Sequence, residues 1–203
     1  MHGWHNAEDP AAPLRPEIKD GILTLLSSPS HQGDIVTDDI FTNFELTVDF
    51  KLTHGANSGI KYFVNDQVNA AAHSVVGFEY QLLDDDVHPD AKLGRNGDRK
   101  TASLYDILPA ASIKPTRPIG EWNTARIIVR GNHGEHWLNG VEVLEYDRSS
   151  PTFREAISQS KFRGFTGFGQ AADGHILLQD HGDTVHFRNI KLRRLPAGEN
   201  KSH

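Results

Sequence analysis

The run FELTVDFKLT, Phe44 to Thr53, decides the fold class. Successive side chains of an extended chain point to opposite faces. Phe44, Leu46, Val48, Phe50 and Leu52 therefore share one face, and Glu45, Thr47, Asp49 and Lys51 share the other. One apolar and one polar face define a half-buried antiparallel strand. Working outward, similar runs recur in GILTLLSS (21–28), SGIKYFV (58–64), VGFEYQLLD (76–84), ARIIVRGN (125–132), HGEHWLNG (133–140), VEVLEY (141–146), HILLQD (175–180) and TVHFRNIKLRRL (184–195). Asn139-Gly140 separates two of them, a dipeptide that supplies the two positive φ angles of a tight hairpin. Helical periodicity is confined to PTFREAISQSKF (151–162). About nine strands joined by turn-rich loops predict an all-β fold, a two-sheet antiparallel β-sandwich, with residues 1–203 forming one domain. No internal repeat is visible, and the polar segment Asp84 to Lys100 reads as an ordered loop over one sheet.

Composition removes several function classes. Lys and Arg number 21 against 27 for Asp and Glu, so the formal charge of −6 offers no general attraction to nucleic acid or to an anionic membrane. The chain has no cysteine, which excludes disulfides, thiolate metal sites and a thiol nucleophile. No apolar run approaches the roughly 18 residues of a spanning helix, and Met1-His2-Gly3-Trp4 is no signal peptide. The expected compartment is the periplasm or the exterior, with an export signal absent from this chain, and the cytoplasm stays open.

Strand parity then selects candidates for chemistry. If Phe78, Tyr80 and Leu82 fill the space between the sheets, Glu79, Gln81 and Asp85 face outward. By the same parity Lys61 faces outward in SGIKYFV, as do Leu177, Gln179 and His181 in HILLQDH. Lys, Glu, Gln and His on three strands can hydrogen-bond sugar hydroxyls and move protons. An ordinary glycosidase needs two carboxyl groups about 5–9.5 Å apart. The laminarinase-type strand motif Glu-x-Asp-x-Glu reads Glu79-Tyr80-Gln81-Leu82-Leu83 here, and Asp85 lies about 20 Å from Glu79 along a straight strand. This strand supplies no carboxylate pair by itself.

Several stretches carry a family resemblance: GWHNA (3–7), ANSGIKYFV (56–64), GFEYQLLDDDVHPDAK (77–92), ASLYDILPA (102–110), GEWNTARIIVRGNHGEHWLNGVEVLEY (120–146) and GHILLQDHGDTVHFRNIKLRRL (174–195). Together, and in this order, they resemble the 3-keto-disaccharide hydrolase domain family, which has a concanavalin-like jelly-roll fold. The resemblance implies a small-molecule carbohydrate substrate and cleavage of 3-keto-glycosides. A ketone at C3 acidifies C2–H, so a base can open the route to elimination at C1 and water adds afterwards. On this reading Glu79 or His181 is the base or the acid and Lys61 stabilises the oxyanion. Gln81 and Gln179 hold hydroxyls, Asp85, His88 and Tyr105 are further substrate contacts, and Arg188 is an additional donor.

Other features have plainer readings. The acids Asp84 to Asp90 could hold a divalent cation, but such a run is more often a turn-forming loop, and no cofactor is expected. His136, Trp137, Asn139 and Gly140 are read as hairpin structure, and Trp122 as core. His31, His54, His73 and His133 receive no role. The alternative function is a non-catalytic carbohydrate-binding module, since one fold serves both purposes. A protein-docking domain is a third reading, weakened by the lack of an exposed apolar stripe.

Overall fold

The structure is a computed structural model and describes residues 1–28, 33–72 and 75–196. His31 and His73 lie outside the described residues. In chain order the strands are β1 (Trp4–Asn6), β2 (Glu17–Lys19), β3 (Ile22–Leu25), β4 (Ile35–Thr37), β5 (Phe44–Leu52) and β6 (Asn57–Val64). After a helix α1 (Asp66–Ala72) come β7 (Phe78–Leu83), β8 (Asn123–Arg130), β9 (His133–Leu138) and β10 (Val141–Asp147). Helix α2 (Pro151–Ser158) precedes β11 (His175–Leu178) and β12 (Val185–Arg194). Short 3-10 helices occur at Pro89–Lys92 and Lys161–Gly164.

Two antiparallel sheets face each other in a jelly-roll sandwich, one of five strands in the order β1-β4-β11-β6-β7 and one of seven in the order β10-β9-β8-β5-β12-β3-β2. β5 alternates buried and half-buried residues along its whole length, as its sequence dictates. Its apolar row meets Tyr62, Phe78 and Tyr80 from the opposite sheet, all essentially inaccessible to solvent. Phe78 makes edge contacts with Tyr62, Phe63, Tyr146, Phe153 and Phe168, so this ring is the hub of the aromatic core. Asn139 and Gly140 both take positive φ and close the β9–β10 hairpin.

Three strands escape the sequence reading, β1, β2 and β4, because three residues are too few to show a period. The helix α1 also escapes it, lying between two strand runs as DQVNAAA. Trp122 is not a core residue. It lies half-buried beneath the guanidinium of Arg188, 4.0 Å from its centroid, with the Lys51 ammonium at 5.1 Å.

The outer side of the seven-stranded sheet is a solvated lattice of charge, in which Glu45 accepts from Arg126 and Arg193 and Asp49 from Arg188. The outer side of the five-stranded sheet differs. Every residue of β6 and β7 is buried, so polar and apolar rows are equally shielded. Part of the cover is the chain after β7. The Ala102 amide donates to the Gln81 carbonyl at 2.9 Å, and the Gln81 amide donates to Ser103 at 3.2 Å, which extends the sheet by one irregular strip.

Candidate active site

The pairing of β6 with β7 sets Lys61 directly across from Glu79 and Gly59 across from Gln81. β11 completes the grid, with Leu177 beside Lys61 and the Gln179 amide donating to the Gly59 carbonyl at 2.9 Å. Gly59 is the open square of this floor. A β-carbon there would lie 2.5 Å from Glu79 Oε1 and 2.8 Å from its carboxyl carbon, so the carboxyl group lies over the glycine. Lys61 and Glu79 are only 8% and 6% exposed, so both side chains are shielded from solvent.

A second carboxyl group joins them from a different strand. Asp34, immediately before β4, places Oδ2 3.7 Å from Lys61 Nζ. Its Oδ1 accepts the Asp180 amide at 2.8 Å, and Asp180 in turn accepts the Gly33 amide at 3.0 Å and the Gly182 amide at 2.9 Å. This reciprocal clip ties Asp34 to the end of β11. Lys61 Nζ also donates to the Val75 carbonyl at 3.2 Å.

Burial pushes the Glu79 carboxyl above the usual carboxylate range; the positive charges of Lys61, Lys161 and His181 pull against this, and Asp34 adds to it. Asp34 is likewise raised by burial, against the pull of Lys61 and of the Asp180 amide. Both carboxyl groups thus feel the charge of Lys61, with Asp34 3.7 Å from its Nζ. Lys161 approaches from the 3-10 turn after α2, its ammonium 4.1 Å from the Tyr105 ring centre and its amide donating to Asp106.

Two adjoining hollows open over this face, of about 640 and 560 Å³, and both are walled by Glu8 and Asp34. Gln179, Asp180 and His181 line the larger one, and Lys61, Asp66 and Asn69 the smaller. Gln179 Oε1 is buried without a hydrogen-bond partner. His181 is exposed on the wall. Of the candidates that parity selects, Lys61, Gln179 and His181 line these hollows, whereas Glu79 lines neither and lies in the buried floor.

The remaining candidates line neither of these hollows. Gln81 is 1% exposed, beside the 101–103 strip, and its Oε1 accepts the Leu82 amide. Asp85 accepts the Thr101 amide at 2.7 Å and pairs with Lys114 at 2.9 Å, and His88 Nδ1 accepts the Asp90 amide to cap the 89–92 turn. Both anchor the loop. The Tyr105 hydroxyl donates to Asp90 at 2.8 Å, although its amide donates to the Glu79 carbonyl at 3.0 Å. Arg188 belongs to the opposite sheet, bound to Asp49, so the substrate role expected of it does not hold: the whole sandwich separates it from Glu79.

The acids of the 84–90 loop have protein partners. Asp84 accepts the Gly55 amide at 2.8 Å, and Asp90 accepts from Arg99 and Tyr105. Among the described residues no three His, Asp or Glu side chains stand close enough together to hold a metal ion. The sequence reading missed Asp34 and Lys161. Asp34 stands ahead of a three-residue strand, with no period to place it, and Lys161 follows the helix as one surface lysine among many.

Architecture and floor define the class: a jelly-roll β-sandwich whose five-stranded sheet carries a buried Lys61 and Glu79, with the half-buried Asp34 beside Lys61. The chain belongs to the 3-keto-alpha-glucoside-1,2-lyase-like domain family, whose sequence pattern matches residues 1–193. It is 34% identical over 219 aligned positions to the 3-keto-disaccharide hydrolase of Bacteroides thetaiotaomicron, covering 96% of this chain and 75% of that one. A crystal structure of a candidate glycosyl hydrolase from Parabacteroides distasonis superposes with a TM-score of 0.81 at 28% identity, covering 95% of this chain and 88% of the other. The carbohydrate-binding module CBM66 of Bacillus subtilis, 15% identical with a TM-score of 0.50 over 95% and 96% of the two chains, shares the fold alone.

Proposed function

We propose that this chain cleaves 3-keto-glycosides by proton abstraction at C2, elimination of the C1 substituent and rehydration. The observation that carries the reading is the shielded floor in which Lys61 stands across from Glu79, whose carboxyl group is held over Gly59. A carboxylate kept from water is a stronger base than a solvated one, and an ammonium on the neighbouring strand can meet the negative charge that develops on O3 of the enediolate. Gln179, with an unanswered acceptor, takes a sugar hydroxyl. The 3-keto specificity named for the Bacteroides relative accords with the same chemistry.

Glu79 takes H2 and the C2 electron pair forms the enediolate. That pair then makes a C1=C2 bond while C3=O reforms and the C1–O bond breaks, and the departing oxygen takes a proton from the groove wall. In rehydration, water adds hydroxide to C1, the wall group receives the water proton, and Glu79 returns its proton to C2. His181 and Asp34 are two wall groups able to serve the leaving oxygen.

The test is a comparison of sugars. Trehalose or sucrose should resist the protein while the 3-keto counterpart is cleaved, with C2–H exchanging in D2O or a C2-deuterium isotope effect. Asp34 brings a second carboxyl group under the same Lys61 charge as Glu79, and two carboxyl groups are what ordinary glycoside hydrolysis uses. A full rate on the unoxidised sugar would establish that second reading. Binding of both sugars without cleavage would instead assign the groove to a carbohydrate-binding module.

A further inference from the structure

We infer that Asp34 is the second catalytic carboxyl group of this site, the acid that protonates the departing oxygen and the base that activates the incoming water. The inference rests on the elimination reading above and adds to it a residue from outside the Glu79 strand.

A leaving-group acid must face the cavity, stand near the group that holds the reacting sugar, and keep one oxygen free. Asp34 walls both hollows. Its Oδ2 lies 3.7 Å from Lys61 Nζ, longer than a hydrogen bond, whereas Oδ1 is fixed by the Asp180 amide at 2.8 Å. The side chain is thus oriented by one oxygen and open at the other. His181 walls only the larger hollow and is exposed.

The electrostatics point the same way. Lys61, Asp180 and Glu8 are the charged groups that act on Asp34, and Lys61 acts on Glu79 as well. Burial raises both carboxyl groups above the usual carboxylate range, the direction a group needs if it is to hold a proton for a leaving oxygen. An elimination needs one carboxylate to take H2 and one carboxyl group to give a proton to the C1 oxygen. When Glu79 gains its proton, Asp34 can lose one with Lys61 still paired. Hydration then reverses both transfers and restores the starting state.

The experiment compares leaving groups on 3-keto-glucosides. A 4-nitrophenyl aglycone departs without help, whereas an alkyl aglycone needs an acid. Asp34→Asn keeps the Oδ1 acceptor for the Asp180 amide and loses the acid. It should cleave the alkyl substrate on the order of 10²-fold more slowly than the parent, the usual scale for a lost acid. Its rate on the nitrophenyl substrate should fall by less than about tenfold, and C2–H exchange in D2O should persist. His181→Ala should show no such dependence on the aglycone.

Asp34→Ser is the second variant should the first fold poorly, and the melting temperature of each is measured alongside. Equal slowing of both aglycones in a folded Asp34 variant overturns the assignment, as does aglycone dependence in His181→Ala. Loss of C2–H exchange in Asp34→Asn overturns it too, because that makes Asp34 the base. If the parent protein neither exchanges C2–H nor cleaves either keto-glucoside, the functional reading itself fails and takes Asp34 with it.

Discussion

The carboxyl group of Glu79 occupies the space that a side chain on Gly59 would fill, with Oε1 2.5 Å from the position of the missing β-carbon. Gly59 is paired across β6–β7 with Gln81, one row from Lys61 and Glu79. The glycine is therefore a spatial requirement of the site. Gly59→Ala should displace the carboxyl group by more than an ångström, and a misplacement of that size costs about 10²-fold in rate. The melting temperature should move by only a few degrees, because the clash is with a side chain and not with backbone. Unchanged kcat in a folded Gly59→Ala protein would mean that Glu79 has no part in the chemistry.

Glu79 should govern the acid limb of the rate profile. Burial holds its carboxyl above the usual range, so kcat/KM should decline at a pH above that of an ordinary glutamate. Lys161 pulls the same group down, so Lys161→Met should move the limb to higher pH. A limb that stays in place would dissociate Lys161 from Glu79.

Stability should respond to the same residue with a definite sign. A carboxyl whose folded pKa is raised stabilises the fold below its unfolded value, and that contribution is lost as pH rises through the folded value. Glu79→Gln removes this loss. The variant should therefore gain stability relative to the parent between pH 4 and pH 8 while its activity falls about 10²-fold or more. Phe78→Ala should cost roughly 3–5 kcal/mol, as expected for emptying the aromatic hub. Urea unfolding at the two pH values measures both.

His136 should fail to titrate in the usual range. Its Nδ1 lies 2.8 Å from the Ala102 carbonyl, which can only accept, so Nδ1 carries the proton and Nε2 accepts the Tyr62 hydroxyl at 2.8 Å. Tyr146 then donates to the Tyr62 oxygen at 2.7 Å. Burial pulls the imidazole down to about 4, and the neutral ring stabilises the fold above its ordinary pKa. That contribution, on the order of 3 kcal/mol, should be lost as pH falls from about 6.5 towards 4. The imidazole resonance should hold its neutral position at pH 5; titration near 6.5 would contradict the buried chain of hydrogen bonds.

The loop after β7 should depend on one fork. Arg99 Nε donates to Asp106 at 2.6 Å and Nη1 to Asp90 at 2.8 Å, and Asp90 also accepts the Tyr105 hydroxyl. Arg99→Lys cannot keep both bonds in that geometry, and a loss of roughly 1–3 kcal/mol should follow. No change in melting temperature would show that the loop is held by its backbone bonds alone.

The sequence by itself determined the scaffold. Period-two runs such as Phe44 to Leu52 specify strands wherever one face is buried and the other wet, because burial of the apolar row is then the only free-energy contrast between registers. Asn139-Gly140 specified its hairpin through two positive φ angles. Parity also placed Lys61, Glu79, Gln179 and His181 on one side of their sheet. What tertiary structure alone decided is which polar groups meet. β6 and β7 are buried on both faces, so alternation no longer separates a solvated row from a shielded one. Asp34 reaches Lys61 across an intervening strand through an antiparallel pairing of β4 with β11 that is remote in sequence. Arg188, with the same donor chemistry, is carried to the other sheet by the turn after Gln179. Charge, burial and distance between residues far apart in the chain are properties of packing, and no local period records them.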